Sequence, residues 1–206
     1  MRSFLVLVLL FVAFAAAQIP NLAPLEIALQ VSSTQYTYNR WLDYIFNNGV
    51  GSTASPAANA SFYNGVNQVM SVFCNAEEFI SWGTNLTPLL TTLAEVKAYY
   101  ISLSLTSFIG YSHHKLNNPI VYYSFDHDGV YANFTSIITQ TAKTAVGPGQ
   151  PPVFDTIEGF YNNQYKFIPE TNSWCIRVFF AYTQNGWPDP SLQDLVNAPY
   201  VYPYSS

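Results

Sequence analysis

The chain has 206 residues, of which only 9% are charged and 17% are aromatic, and its formal net charge is −5. This length fits one domain, and an acidic chain with so few charges argues against nucleic acid and anionic membranes as partners. Its stability must therefore come mainly from burying aromatic and aliphatic side chains.

The N-terminus has the features of a secretory signal peptide over residues 1–17. Arg2 precedes an unbroken apolar run at residues 4–14, and Ala15-Ala16-Ala17 offers a small-residue cleavage site. The run is shorter than the roughly 20 residues of a membrane-spanning helix, with an uncleaved anchor as the alternative. We expect a secreted, extracellular protein with no membrane contact after cleavage, and a leader over residues 18–27.

Cysteines and glycosylation sequons fit export. Cys74 and Cys175 are predicted to form a disulfide that closes a loop of about 100 residues, worth roughly 4–5 kcal/mol from chain entropy, with two free thiols as the alternative. Sequons begin at Asn59, Asn85 and Asn133. Pro88 follows the second sequon and weakens it. If Asn133 carries a glycan, it faces outward, and its neighbours Ala132, Phe134 and Ser136 face inward.

Three helices are predicted in the first half of the chain. The first covers about residues 25–46, because apolar side chains recur on one face at i, i+3, i+4 and i+7. Those side chains belong to Tyr38, Trp41, Leu42 and Ile45. A weaker helical pattern covers about 57–72, and the apolar run at 78–82 predicts a short strand. Thr92-Leu-Ala-Glu95 is a capping box, which predicts a third helix through about residue 105.

After residue 110 the apolar period changes to two, which predicts antiparallel strands. The predicted strands cover residues 111–125, 129–142, 153–168 and 173–185. Residues 126–129 predict a tight turn between the first two strands, because Asp and Gly accept the backbone angles that a turn requires. Helices gathered on one face of an antiparallel sheet make an α+β layer fold, and a cavity between the layers is a usual place for a small ligand.

Three local patterns carry a family resemblance. They are His114-x-x-x-Asn118-Pro119, Asp128-Gly129-Val-Tyr-Ala132, and Gly159-Phe-Tyr161 followed by Ser173-Trp174-Cys-Ile176. Together they resemble the NTF2-like cone fold, and within it the SnoaL-like group of polyketide cyclases, dehydratases and isomerases. The resemblance covers residues 28–187 and leaves residues 188–206 as a C-terminal tail. It implies three N-terminal helices packed on a strongly curved, mainly antiparallel sheet, a small apolar ligand or substrate, and a homodimer formed through the sheet.

The adjacent His113 and His114 lie in a predicted strand, where neighbours point to opposite sides of the sheet. Lys115 shares the side of His113 and is costly to bury unpaired, so His114 is the better inward candidate. The resemblance implies the same, because related dehydratases and cyclases use an inward histidine as acid or base. Asn118 lies further along the same face and is expected to reach the same ligand. The alternative for His114 is a core histidine bonded to a tyrosine or a backbone carbonyl.

Other candidate residues come from the helices and the third strand. Asp155 is the second acid/base candidate. Asp43 is predicted to face solvent, because it lies about 200° around the helix from Trp41, although family members often have an acid near this helix. The candidate pocket residues are Tyr38, Trp41, Tyr44, Tyr63 and Trp82, with ordinary aromatic core as the alternative for each.

We expect no metal site. His113 and His114 cannot both bind one ion from a regular strand, and the acidic cluster at residues 126–128 is typical of a solvated turn.

Two functions follow from different classes. One is a secreted binding protein with an apolar, aromatic-lined pocket and no catalysis. The other is a cofactor-free lyase, isomerase or cyclase that uses His114 as acid/base on a small carbonyl or polyketide-like compound. The shortage of clear carboxylates in the predicted cavity favours the binding protein.

Overall fold

The computed structural model describes residues 24–47, 56–85, 87–106, 112–126, 129–144 and 153–184. Its elements in chain order are α1 (Pro24–Asn47), α2 (Pro56–Met70), β1 (Ser81–Thr84), β2 (Thr87–Leu90), α3 (Leu93–Thr106), β3 (Ser112–Asp126), β4 (Gly129–Thr144), β5 (Val153–Ile168) and β6 (Ser173–Gln184). The predicted signal peptide at 1–17 and the tail at 188–206 lie outside the described residues, and the domain limits stay a prediction.

The six strands form one sheet in the order β2-β1-β6-β5-β4-β3. The pair β1–β6 is parallel, and the other neighbours are antiparallel. The helices pack on this sheet around one core, to which α1 contributes Ile27, α2 contributes Phe62 and β4 contributes Phe134. The expected α+β cone, with three helices on a curved and mainly antiparallel sheet, is confirmed. Among the described residues, no helix is long and apolar enough to cross a membrane.

The helices begin and end close to the predicted residues. In α1 the predicted apolar face is buried at Tyr38, Leu42 and Ile45, whereas Trp41 is only partly buried. The capping box at the start of α3 is formed: Glu95 N donates to Thr92 Oγ1 over 3.2 Å, and Thr92 N donates to Glu95 Oε2 over 3.0 Å. This reciprocal pair satisfies backbone donors at the helix start.

The long strands β3 to β6 end within two residues of the predicted limits. The short strand predicted at 78–82 is instead found at Ser81–Thr84, and β2 was not predicted. The shift arises because the Asn75 side chain accepts hydrogen bonds from the backbone amides of Glu77 and Glu78, which hold residues 75–78 in a turn. Pro88 lies inside β2 and obscures its pattern, since proline is confined to the edges of sheets.

The structure contains the expected disulfide between Cys74 and Cys175, with the two sulfur atoms 2.10 Å apart. Backbone hydrogen bonds support it on both sides, because Cys74 N donates to Ile176 O and Ile176 N donates to Val72 O. The bridge therefore joins the segment after α2 to the start of β6. The two cysteines are 101 residues apart in sequence.

A bulge interrupts β3 at Asn118. This residue has a φ of 51°, in the left-handed region that Asn tolerates better than most residues, and the pairing with β4 changes register between Asn117 and Ile120. Before the bulge His114 pairs with Gln140 on the buried face. Asn118 itself is exposed, so the prediction that it shares a ligand with His114 is wrong.

The two faces of β4 are distinct. Ala132, Phe134 and Ser136 are buried, as predicted from an outward Asn133, and Ile137 is 47% exposed on the opposite face. Inward and outward positions therefore alternate along this strand.

Candidate active site

Four polar side chains recur every four residues along α1: Gln35, Asn39, Asp43 and Asn47. Since four residues turn a helix by about 400°, these side chains form a slowly drifting line, here called the polar stripe. Gln35 and Asn39 are buried, and Asp43 and Asn47 form hydrogen bonds with the first residues of β3. The stripe therefore divides into a closed end at Gln35 and a β3 end at Asp43.

The β3 end holds a carboxylate–imidazole pair. Asp43 Oδ1 lies 2.5 Å from His114 Nδ1, and Asp43 Oδ2 accepts a hydrogen bond from the backbone N of His114 over 2.9 Å. The His114 side chain is only 4% exposed and that of Asp43 is 14% exposed. One residue earlier, His113 is 65% exposed and its Nδ1 is 3.8 Å from Asp43 Oδ2. His114 thus faces inward and His113 outward, as strand alternation predicts.

Further hydrogen bonds hold the carboxylate in place. Ser112 Oγ donates to Asp43 Oδ1 over 3.1 Å and accepts from Gln140 Nε2 over 3.2 Å. The Asn47 side chain clamps the Ser112 backbone: its Nδ2 donates to Ser112 O over 3.1 Å, and its Oδ1 accepts from Ser112 N. The position of Asp43 is therefore fixed by α1, β3 and β4 together.

The pKa of Asp43 is lower than the ordinary value of 3.8. Desolvation by burial raises this pKa, but the side-chain hydrogen bond and charge of His114, the His114 backbone amide and the Ser112 hydroxyl together lower it. An ionised carboxylate has no proton to donate, so the hydrogen between the two side chains belongs to His114 Nδ1. In neutral His114, Nε2 then carries the free lone pair.

A cavity of about 180 Å³ lies beside His114, between the helices and the sheet. Most of its wall is apolar and aromatic, and its polar members include His114, Gln140 and Thr84. The ring of Phe46 also lines it and packs 6.3 Å from the His114 ring, centroid to centroid. His114 therefore combines an anionic partner on one side with an apolar chamber on the other.

A buried chain of hydroxyl and indole groups lies in the same cavity wall. Trp82 Nε1 donates to Tyr100 Oη over 2.7 Å, and the hydroxyls of Tyr38 and Tyr100 are 2.7 Å apart. Desolvation by burial raises the pKa of Tyr38 and that of Tyr100 well above the ordinary value. Both tyrosines therefore stay protonated and act as neutral hydrogen-bond donors.

The structure divides the predicted pocket residues. Tyr38 and Trp82 line the cavity. Trp41 and Tyr44 pack against each other at 5.4 Å on the edge of the core, and Tyr63 is 48% exposed, so none of these three is among the described lining residues. The prediction is wrong for them because the Tyr44 ring packs against Gly65 of α2, Trp41 packs on Tyr44, and Tyr63 is exposed.

Asp155 and the three sequon asparagines are the remaining predicted site residues. Asp155 lies in β5 opposite Ala142, and its side chain falls outside the described part of the chain. Asn85 is exposed beside β1, Asn133 is half-buried in β4, and the side chain of Asn59 in α2 is not among those described. Glycosylation at these positions stays a prediction.

No group of three or more His, Cys, Asp or Glu side chains lies together in the part of the chain that the structure describes. Residues 127 and 128 of the acidic turn lie outside that part.

The prediction that Asp43 faces solvent is wrong. It took Trp41 as the centre of the buried face, whereas β3 covers α1 on the side of the polar stripe. Sequence reasoning also missed Ser112, Gln140 and Tyr100. The four-residue spacing of Gln35, Asn39, Asp43 and Asn47 was the available signal, because it marks a second, polar contact face on an amphipathic helix.

Comparison with solved structures identifies the fold. A candidate dehydratase from the NTF2-like family of Streptomyces avermitilis has a TM-score of 0.52 and 14% identity, covering 80% of this chain and 100% of its own. A candidate scytalone dehydratase from Novosphingobium aromaticivorans has a TM-score of 0.52 and 13% identity, covering 75% of this chain and 82% of its own. A ketosteroid isomerase-like protein from Erwinia carotovora atroseptica has a TM-score of 0.52 and 12% identity, covering 78% and 98%.

No protein-family model matches the sequence, and no curated protein matches it. The structural likeness at 12–14% identity extends over three quarters or more of the chain. The protein therefore has the NTF2-like fold.

Proposed function

We propose that the protein is a small-molecule acid–base enzyme of the lyase or isomerase type, in which His114 accepts and returns the proton. One observation carries this proposal: the buried Asp43–His114 pair borders an apolar cavity. A histidine whose Nδ1–H is held by an ionised carboxylate keeps its other ring nitrogen for a substrate. The carboxylate also stabilises the imidazolium formed when that nitrogen takes a proton.

The chemistry begins with proton removal from a carbon next to a carbonyl group. His114 Nε2 takes the proton, the C–H electrons form a carbon–carbon double bond, and the carbonyl oxygen becomes an enolate. The imidazolium then returns the proton to a different carbon in an isomerisation, or to a departing hydroxyl in a dehydration. In the dehydration the enolate re-forms the carbonyl, a double bond forms between the α- and β-carbons, the β-carbon–oxygen bond breaks, and the protonated hydroxyl leaves as water. Neither outcome needs an oxidant or a reductant.

The tyrosine pair is the proposed partner of the enolate oxygen. Tyr38 and Tyr100 stay protonated in the cavity wall, and because one of their two hydroxyl protons forms the bond between them, the pair can donate one hydrogen bond to developing negative charge. Trp82 donates to the Tyr100 oxygen, which strengthens the hydroxyl of Tyr100 as a donor. The dehydratase and isomerase names of structures with this fold support the reaction class by analogy only.

The test is solvent-deuterium exchange into the α-carbons of acetone and cyclohexanone in D₂O, followed by proton NMR. The protein is expected to accelerate loss of the α-proton signals, and His114→Gln is expected to abolish the acceleration. His113→Gln is the matched control on the exposed side of the same strand and should exchange like wild type. Equal exchange rates for His114→Gln and wild type would remove His114 from the mechanism.

The second candidate is a binding protein with no chemistry on the same cavity. It is favoured by the absence of Asp and Glu from the described residues that line the cavity. Native mass spectrometry of protein from its source distinguishes the two candidates. A retained neutral ligand that the protein never converts favours the binding protein.

We also propose that the protein is exported and carries sugar at one or more sequons. The disulfide supports export, because disulfides persist in oxidising compartments. Asn85 is exposed and therefore accessible to glycosylation, although Pro88 weakens its sequon. The test is expression of the full chain in a eukaryotic secretory host. Protein in the medium that loses mass on glycosidase treatment is the expected result, and unmodified protein retained in the cells contradicts the proposal.

The outer face of the sheet is the proposed surface for a homodimer. Ile120, Tyr122 and Ile137 are 48%, 64% and 47% exposed there, and Asn133 pairs with Tyr122 on the same face. A glycan at Asn133 and a second copy therefore compete for this surface. Light scattering should find a dimer for unglycosylated protein and a monomer for Ile137→Glu; a monomer at every concentration of the unglycosylated protein contradicts the proposal.

A further inference from the structure

The volume of the cavity limits what it holds. At about 180 Å³ it is only slightly larger than an engineered 150 Å³ protein cavity that accepts benzene. One six-membered ring with a short substituent fits this space.

The aromatic walls resist expansion because they are packed against one another. Phe179 lies 4.9 Å from Tyr38 and 5.4 Å from Tyr161, and its ring stacks on Trp82 at 5.6 Å with an interplanar angle of 4°. All four residues line the cavity and are at most 2% exposed. Close-packed side chains in a protein interior accommodate extra volume only at the cost of strained side-chain conformations. Flat walls also favour a flat ring.

The wall chemistry selects for a neutral ligand with an oxygen atom. No Lys or Arg is among the described lining residues, so an ionised carboxylate or phosphate would enter the cavity without a strong cationic partner. Neutral hydrogen-bond partners are present in the tyrosine pair and in His114 Nε2. One oxygen atom attached to the ring is enough to form hydrogen bonds with these groups.

We infer that the ligand is a neutral, flat, six-membered ring bearing one oxygen and at most a short substituent, such as a phenol or a cyclohexenone, and that the cavity binds such a ring in preference to two fused rings. This inference rests on the proposed function, since it names the substrate class of that same cavity. A preference for a single ring would distinguish this chain from enzymes that act on polycyclic substrates, even those with the same fold.

The test is isothermal calorimetry with p-cresol, toluene and 2-naphthol. In the wild-type protein, p-cresol is expected to bind at least tenfold more tightly than 2-naphthol. Tyr38→Phe is expected to weaken p-cresol about five- to tenfold, the value of one buried hydrogen bond, and to leave toluene unchanged. Tyr36→Phe is the matched control, because Tyr36 is 51% exposed on the same helix.

A second variant locates the binding. Ala181 is buried in the cavity wall, and Ala181→Leu fills part of the space while His114 and Tyr38 themselves are unchanged. This variant should abolish p-cresol binding while retaining the far-ultraviolet circular dichroism of the wild type. Should it fail to fold, p-cresol titrated into the wild-type protein is expected to shift the ring-nitrogen signals of His114, which lines the cavity, and to leave those of the exposed His113 unchanged.

The inference is overturned if 2-naphthol binds as tightly as p-cresol, or if Tyr38→Phe and Ala181→Leu both leave p-cresol affinity unchanged. These results are independent of deuterium exchange. Exchange that depends on His114 together with tight 2-naphthol binding would end this inference and leave the proposed function standing. Selective p-cresol binding without deuterium exchange would end the proposed function and leave this inference standing.

Discussion

The two ends of the polar stripe on α1 differ in burial and in chemistry: Gln35 and Asn39 are buried, whereas Asp43 is partly exposed. At the closed end, Gln35 Oε1 accepts hydrogen bonds from Asn163 Nδ2 over 2.7 Å and from the Tyr165 hydroxyl, while Gln35 Nε2 donates to Asn39 over 3.1 Å. At the β3 end, Asp43 receives three hydrogen bonds that leave one nitrogen of His114 directed elsewhere. One end joins helix to sheet, and the other also borders the cavity.

The difference shows how one helix face serves both stability and chemistry. Neutral amides at the closed end cannot change charge near neutral pH, so they hold α1 against β5 under all such conditions. Asp43 and His114 are titratable groups, and keeping them beside a cavity is costly unless their hydrogen bonds are satisfied. A residue at the closed end is therefore expected to affect stability alone, whereas one at the β3 end affects stability, charge and binding together.

The largest effect is expected from Gln35→Ala at the closed end. The change leaves the buried amide of Asn163 and the hydroxyl of Tyr165 without their shared acceptor, at a cost of about 3 kcal/mol in the free energy of unfolding. Urea denaturation at neutral pH measures it. Thr37→Ala, on the exposed side of the same helix, should stay within about 0.5 kcal/mol of wild type. Similar stabilities for the two variants would contradict a structural role for the closed end.

Asp43→Asn should cost about 2 kcal/mol at pH 7, because it replaces charge-assisted hydrogen bonds with neutral ones. The folded-state pKa of Asp43 lies below the ordinary value of 3.8, so the native state releases this proton more readily than the unfolded state. The stabilisation is therefore present above about pH 4–5 and is lost as pH falls through the folded pKa. Urea denaturation of wild type and variant should converge toward pH 3; a constant difference down to that pH would contradict an ionised Asp43.

Ser112→Ala is expected to have a smaller effect, about 1 kcal/mol, because it removes one donor to Asp43 and one acceptor for Gln140. Loss of the hydroxyl also raises the pKa of Asp43, so the pH at which its contribution disappears moves upward. Ser124→Ala is the control, since Ser124 is exposed in the same strand. If the pH dependence of stability is the same in both serine variants, the hydroxyl does not act on Asp43.

The smallest effect is expected from His113→Gln. His113 is 65% exposed and lies 3.8 Å from Asp43, and exposed ion pairs are worth little. Its free energy of unfolding should match wild type within about 0.5 kcal/mol from pH 5 to pH 8. A larger loss of stability would mean that Asp43 interacts with both His113 and His114.

Much of the fold was predictable from sequence because the signals are local. Strands β3 to β6 alternate strongly, and Thr92 and Glu95 cap α3 through contacts three residues apart. The bulge at Asn118 was not predictable from alternation, because one inserted residue changes the register without changing the composition of the strand.

The site was predictable only in part. His114 followed from alternation and the cost of burying Lys115, but the partner of His114 lies 71 residues earlier in the chain, on a helix face that β3 covers. Helical periodicity ranks faces by apolar content, so it places Asp43 in solvent unless the polar stripe is recognised as a contact surface. Tyr100 lies in α3, and its pairing with Tyr38 depends on tertiary packing.

The most direct test of the account is a long-range proton–nitrogen NMR correlation spectrum of the histidine rings, recorded with and without p-cresol. In neutral His114 we expect a protonated Nδ1 and a bare Nε2, and p-cresol should shift the Nε2 resonance while the His113 signals stay unchanged. Two results would contradict this arrangement. One is a proton on Nε2 with a bare Nδ1, because Asp43 would then not accept a hydrogen bond from His114. The other is a His114 ring that does not respond to any small ring compound, because Nε2 would then not contact a ligand in the cavity.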